Sequence, residues 1–183
     1  MLQPQHITEY FIKNYIKSGD IAVDATAGNG NDTIKLCEAV GKEGKVFAFD
    51  IQSSAIEATK NKLVESGYTN AELILDSHSD MDKHVTQKVR AVIFNLGYLP
   101  GGDHSICTHA DTSIKAIDKA LNLIDEGGFV SISVYHGKNT GTEEKEGVME
   151  YLKEIDHKAF TIVVHDFYNR PNNPPITVII TKN

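Results

Sequence analysis

The sequence predicts an α/β fold of the Rossmann-like kind: a seven-stranded, mostly parallel sheet with an antiparallel last strand and helices on both faces. Three observations carry this. Short apolar runs alternate with helix-periodic stretches through five units, with no repeat or low-complexity tract between them. A glycine-rich turn follows the first run and an acid ends the second, as in doubly wound sheets that bind ligands at their strand tips. The last two runs are joined by a loop too short for a helical crossover, so they pair antiparallel.

Taken in order, Thr8 to Lys17 carries Tyr10, Phe11, Tyr15 and Ile16 at helix-compatible spacing. Ile21 to Ala25 is a buried strand, and Asp32 to Val40 a helix. Lys45 to Phe49 is the second strand, ending in Asp50. Ser53 to Ser66 is a helix capped by Ser53 or Ser54 and stopped by Gly67. Ala71 to Leu75 and Val89 to Phe94 are the third and fourth strands. A long helix capped by Asp111 or Thr112 runs to Ile124, with Ile114, Ile117, Leu121 and Ile124 on one stripe facing the core. Gly128 to Val134 is the fifth strand and Thr142 to Ile155 a helix. Phe160 to Val164 and Ile176 to Ile180 close the chain.

The 183 residues suffice for one domain, 1–183, and not for two ordinary ones. Apolar residues at 40% and charged residues at 23% exclude a disordered chain. No apolar run approaches the ~20 residues needed to span a bilayer. The start, Met1 to His6, has no basic segment leading into an apolar one, so no secretion signal is expected. Cys37 and Cys107 make no disulfide framework; reduced thiols in the cytoplasm are the plain reading. A net charge of −7 argues against an overall electrostatic grip on nucleic acid and gives weight to a small-molecule substrate, without excluding a local basic patch.

The chemistry-bearing residues fall at the strand tips. After the first strand comes Asp24-Ala-Thr-Ala-Gly28-Asn29-Gly30-Asn31-Asp32-Thr33, a turn that lets backbone approach a ligand at a helix start. The dinucleotide fingerprint would place Gly or Ala at position 33; Thr33 instead favours a smaller anion, such as the carboxylate of a methionine moiety. Asp50, about 20 residues past the glycines, is placed to accept from ribose hydroxyls, with Gln52 reaching the sugar or the adenine edge. Its plainer reading is a helix cap. Asp76-Ser77-His78 borders the place of an adenine ring, or simply starts a helix. The fourth strand ends in Asn95-Leu96-Gly97-Tyr98, against the Asn or Asp, two residues (often Pro-Pro) and aromatic of amino-group methyltransferases. In that pattern the Asn oxygen and the next carbonyl accept from the amine, and the aromatic packs on the base. Here the ends match and the middle lacks proline rigidity. Five parallel strands closed by an antiparallel hairpin is also the arrangement of class I methyltransferases, whereas nicotinamide-binding domains usually end on another parallel strand.

These stretches, with Asn95 to His104 and Tyr135-His136-Gly137, resemble the small bacterial YtqB/MnmM-type methyltransferases, grouped as rRNA methylases, nearly end to end. The resemblance implies S-adenosyl-L-methionine as donor and a homodimer. It implies methylation of the 5-aminomethyl group of (2-thio)uridine at the wobble position of tRNA. It also implies donor contacts from Asn29, Asn31, Asp50, Gln52, Ser77 and His78; Asp24, Gly28, Gly30 and Asn95 are expected beside them.

Methyl transfer from a sulfonium asks mainly for alignment of a lone pair with the methyl carbon. Asn95 then orients the amine and Tyr98 walls the base, while Asp103, His104, Tyr135 and His136 are candidates to accept or relay the proton. Tyr168 can stack on a base, and Arg170 and Lys138 can meet phosphates. His104, Cys107 and His109 lie within six residues, but lack a second pair at zinc spacing, so no metal is expected. Three rivals stay open: an rRNA or small-molecule methyltransferase, a non-catalytic module that binds S-adenosylmethionine or RNA, and a nicotinamide oxidoreductase.

Overall fold

The computed structural model describes residues 2–97, 108–136, 141–171 and 173–183. Their seven strands are β1 (Ile21–Asp24), β2 (Lys45–Asp50), β3 (Ala71–Leu75), β4 (Val89–Leu96), β5 (Ile124–Val134), β6 (Phe160–His165) and β7 (Ile176–Lys182). They form one sheet in the order β3-β2-β1-β4-β5-β7-β6. Strands β1 to β5 pair parallel, and β7 runs antiparallel to both β5 and β6. The reversed strand is therefore the last in sequence, inserted one place in from the sheet edge.

Alternate residues of each strand serve opposite faces, because successive side chains point to opposite sides of the pleat. Val23, Phe47, Val92, Phe94 and Val130 join one core, while Ala22, Val46, Ala91, Ile93 and Phe129 join the other. The first core lies under α4 (Ala110–Leu123) and α5 (Thr142–Lys153) through Ala116, Ile117, Leu121, Val148 and Leu152. The second lies under α1 (Pro4–Tyr15), α2 (Asn31–Val40) and α3 (Ser53–Ser66) through Ile12, Leu36, Val40 and Leu63. Both faces are covered, as the continuous apolar strands require.

Several boundaries and caps differ from expectation, among them the cap of α3, which is Gln52 and not Ser53 or Ser54. Helix α1 starts at Pro4, not Thr8: Pro4 presets the first helical φ, and the Gln3 backbone N–H donates to His6 Nδ1 at 3.1 Å. The cap of α4 is His109, not Asp111 or Thr112; the Thr112 hydroxyl turns back to the His109 carbonyl at 3.0 Å. Ile124 opens β5 and does not end α4. Its pairing with Val89 jumps to Ala91 with Phe129, a bulge that Gly127 permits at φ 70°.

Candidate active site

The carboxyl-end tips of β1 to β4 surround a cavity of about 890 Å³. Gly28, Asn29, Asn31, Asp50, Gln52, Ser77, His78, Asn95 and Tyr135 all line it. Nine of the expected residues, spread over 108 positions from Gly28 to Tyr135, thus meet at one place.

The glycine turn is built from below. Asp24 is fully buried and lies outside the cavity lining, which corrects its expected role as a ligand contact. Its carboxylate accepts the Thr33 hydroxyl at 2.6 Å and the Thr26 N–H at 3.2 Å, so it shapes the turn. Burial, then the nearby Asp32 charge, push the Asp24 carboxyl up to about 7. Thr33, where a dinucleotide site would have a small residue, is that buried partner. Gly30 is likewise behind the wall: it caps α2 at φ 75°, and a Cβ there would stand 3.0 Å from the Thr59 Cα of α3. Gly28 faces the cavity, and its N–H donates to Asp50 Oδ2 at 2.9 Å. Asp50 Oδ1 accepts the Gln52 N–H at 2.9 Å. Both carboxylate oxygens are thereby fixed at the cavity wall, each with lone-pair capacity left.

At the tip of β3, Ser77 accepts the Ser79 N–H and caps a 3-10 helix, His78–Lys83. His84 holds the Asp76 carboxylate at 2.8 Å and keeps it below its ordinary range. His78 is buried edge-on against Phe94, and burial lowers its imidazole pKa. Its Nε2 is buried without a partner among the described residues, while the residue itself contributes to the cavity lining.

The tip of β4 is held rigid without proline. Gly97 has φ 144°, which a proline ring forbids and which other side chains rarely adopt. The Gly97 N–H donates to Thr108 Oγ1 at 2.7 Å, and the Gly97 carbonyl accepts the Thr108 N–H at 3.0 Å. Thr108 Oγ1 in turn donates to Glu144 Oε2 at 2.7 Å, and Glu144 Oε1 accepts the Ser113 hydroxyl at 2.6 Å. Glu144 is buried at the start of α5 and pins the tip to both helices. The Leu96 carbonyl accepts the Tyr135 N–H at 3.0 Å, which ties the end of β4 to the residue after β5. The Asn95 N–H donates to Thr26 Oγ1 at 2.8 Å, locking β4 to the glycine turn.

Asn95 Nδ2 donates to Asp32 Oδ2 at 2.9 Å, and Lys35 bridges Asp32 and Glu9 at 2.9 Å each. Asp32, Lys35 and, from α1, Gln5 line the cavity, as do Lys62, Thr108, His109 and Thr112. Sequence reasoning gave none of these a role in donor or acceptor binding. Lys62 donates to Asn31 Oδ1. The Tyr135 phenol is held above its ordinary pKa, by burial first and by the Asp32 charge second. A phenol so placed stays protonated near neutrality.

His136, Tyr168 and Arg170 lie away from the cavity lining. His136 does not line the cavity; its Nδ1 sits 3.4 Å from the Val134 carbonyl. Arg170 is spent within the chain: its guanidinium lies 4.1 Å over the Phe167 ring and donates to the Leu2 carbonyl. Tyr168 is fully exposed and apart from the cavity lining. Tyr98, Asp103, His104, Cys107 and Lys138 lie outside the described residues. Among the described residues no cluster of three His, Cys, Asp or Glu fits a metal. No helix among them is long and apolar enough to cross a membrane.

S-adenosylmethionine fits this wall. The cavity is large enough for a nucleoside carrying an amino-acid tail, and its surfaces divide accordingly. Asp50 and Gln52 offer acceptors for a ribose, Ser77 and His78 an edge for a base, and Asn29 and Asn31 at the start of α2 a place for a carboxylate.

Comparison with known proteins agrees with the geometry. The family profile described as "Putative rRNA methylase" matches residues 46–181. The chloroplastic tRNA (mnm(5)s(2)U34)-methyltransferase of Arabidopsis thaliana is 37% identical over 178 residues, 91% of this chain; the chain spans 65% of that relative's length. A crystal structure titled as a "putative rRNA-methylase" from Clostridium thermocellum is 47% identical, with TM-score 0.98 over 100% of this chain and 99% of its own. A methyltransferase structure from Streptococcus mutans, in complex with SAH, is 38% identical, with TM-score 0.92 over 100% and 99%.

Proposed function

The chain belongs to the rRNA methylase family, and on that premise we propose that it is an N-methyltransferase acting on the 5-aminomethyl group of wobble (2-thio)uridine in tRNA. Its donor is S-adenosyl-L-methionine: the fold is that of class I methyltransferases, and a neighbour at 38% identity is in complex with SAH. The observation that carries the acceptor side is Asn95, fixed at a strand tip in the wall shared with Asp50, Gln52 and His78. The curated relative named for mnm(5)s(2)U34 supports the nucleoside. The resemblance to the YtqB/MnmM-type methyltransferases implies a homodimer, and two cysteines without a disulfide framework suit a reducing compartment such as the cytoplasm.

When bound, the donor supplies an electrophilic methyl on a sulfur that leaves as a neutral thioether. The chain's own task is to hold a neutral amine against it. An alkyl ammonium has a reference pKa of about 10.4, and burial in the cavity favours its uncharged form. Asn95 Oδ1 accepts an amine hydrogen and helps aim the amine lone pair inward. Gly97 and Thr108 hold that tip in place. The Asp50 carboxylate orients the sugar of the donor, and His78 borders its base.

The test is transfer of labelled methyl to tRNA that carries unmethylated 5-aminomethyl-2-thiouridine. Transfer to that nucleoside is expected, with kcat reduced roughly 10²-fold in Asn95→Ala, the scale for losing one aligned polar group. Near-normal turnover of Asn95→Ala removes Asn95 from the mechanism. The acidic charge of −7 favours one second reading, a small-molecule acceptor. Inactivity on this tRNA with methylation of a metabolite selects it.

A further inference from the structure

We propose that Asp32 is the positioning residue that makes Asn95 an acceptor toward the substrate amine; the inference rests on the reading of Asn95 given above. Asp32 stands in the first turn of α2, and Asn95 at the tip of β4. Asn95 Nδ2 donates to Asp32 Oδ2 at 2.9 Å. Lys35 Nζ, held also by Glu9 of α1 at 2.9 Å, occupies Asp32 Oδ1 at the same distance and leaves Oδ2 for Asn95. Asp32, Lys35 and Asn95 line the same cavity.

An asparagine amide is nearly symmetric in shape, so its partners alone decide which end faces a ligand. A carboxylate can only accept, so Asp32 can hold only the NH2 end. Oδ1 is then turned away from Asp32, and among the described residues no donor reaches it. An amine attacking a methyl carbon must keep its lone pair for that carbon and direct its N–H bonds at acceptors. An amide turned the other way offers hydrogens to the lone pair and competes with the methyl group. The acid at position 32 thus sets the polarity of the acceptor subsite without touching the amine. A glutamine or asparagine there allows both orientations.

The experiment compares full-length wild type, Asp32→Asn, and the exchange variant Asp32→Asn with Asn95→Asp. All three are assayed on tRNA carrying 5-aminomethyl-2-thiouridine, and their affinity for S-adenosylhomocysteine is measured by calorimetry. In Asp32→Asn, kcat is expected to fall roughly 10- to 100-fold, the scale of one hydrogen bond to a charged group. KM for tRNA and affinity for S-adenosylhomocysteine stay within about twofold. The exchange variant places the donor at 32 and acceptors at 95, and is expected to recover at least about tenfold of the lost kcat. Retained affinity for S-adenosylhomocysteine also certifies that each variant is folded. Three results overturn the proposal: an unchanged kcat in Asp32→Asn, a loss of donor-site affinity in step with kcat, or an exchange variant no better than the single one. If wild type instead leaves this tRNA unmethylated, the acceptor reading fails by itself. The same variants then decide the role of Asp32 on whichever amine the protein does methylate.

Discussion

Replacing Asp24 by Asn should remove a pH dependence from the stability of the protein. Asp24 is fully buried, and its carboxyl is raised from 3.8 to about 7, chiefly by burial. Between those values the folded state holds a proton that the unfolded chain has released. Stability therefore falls as pH rises through that window, and is level below 3.8 and above about 7. About three pH units at roughly 1.36 kcal/mol each put the ceiling at about 4 kcal/mol. An asparagine keeps both contacts: its oxygen accepts the Thr26 N–H, and the Thr33 hydroxyl rotates to accept from the amide. Urea unfolding of both proteins, from about pH 4 to about pH 8, measures the difference. The two should be close near pH 4, and Asp24→Asn should be the more stable by a few kcal/mol near pH 8. A difference that stays constant with pH would refute the argument, because Asp24 would then be ionised throughout.

Two further changes probe the tip of β4. Gly97→Ala forces a side chain into φ 144° with its Cβ 3.0 Å from that of Tyr135; a loss of about 1–3 kcal/mol is expected, with kcat reduced more than affinity for S-adenosylhomocysteine. An unshifted unfolding midpoint would show that the tip tolerates ordinary backbone there. Glu144→Ala strands the Thr108 and Ser113 hydroxyls and should cost about 2–4 kcal/mol, while Glu144→Gln should cost less, both read by urea unfolding followed by circular dichroism. Equal losses in the two variants would mean that side-chain packing, not hydrogen bonding, is what Glu144 provides.

Local signals were legible in the sequence to the residue in places. Helix α3 spans Ser53–Ser66 and β3 spans Ala71–Leu75, as periodicity and the Gly67 stop imply. The strand-tip rule found Asp50, Gln52, Ser77, His78 and Asn95 because each ends or follows an apolar run. What escaped depends on pairing between distant elements. Asp32 reads as a favourable first-turn acid of α2, and nothing near it in sequence announces Asn95, 63 residues on. Gln5 and Glu9 reach the site only because α1 packs across α2, which no local pattern encodes. Arg170 has contacts that its sequence neighbourhood does not announce. A cation in a proline-rich loop reads as a phosphate ligand, and only the fold brings Phe167 and the Leu2 carbonyl to it. The missing proline two residues after Asn95 is a real signal with an unforeseen cause, since the φ of Gly97 excludes proline at that position.

The double anchoring of Asp50 has a practical corollary for anyone dissecting this protein by mutagenesis. One oxygen fastens the glycine turn through Gly28 and the other fastens the entry to α3 through Gln52, so truncating this side chain loosens two walls at the same moment. An alanine scan would charge that whole loss to the sugar and overstate its share of donor affinity. Only a cycle with a donor analogue lacking the ribose hydroxyls can divide scaffold from ligand at this position.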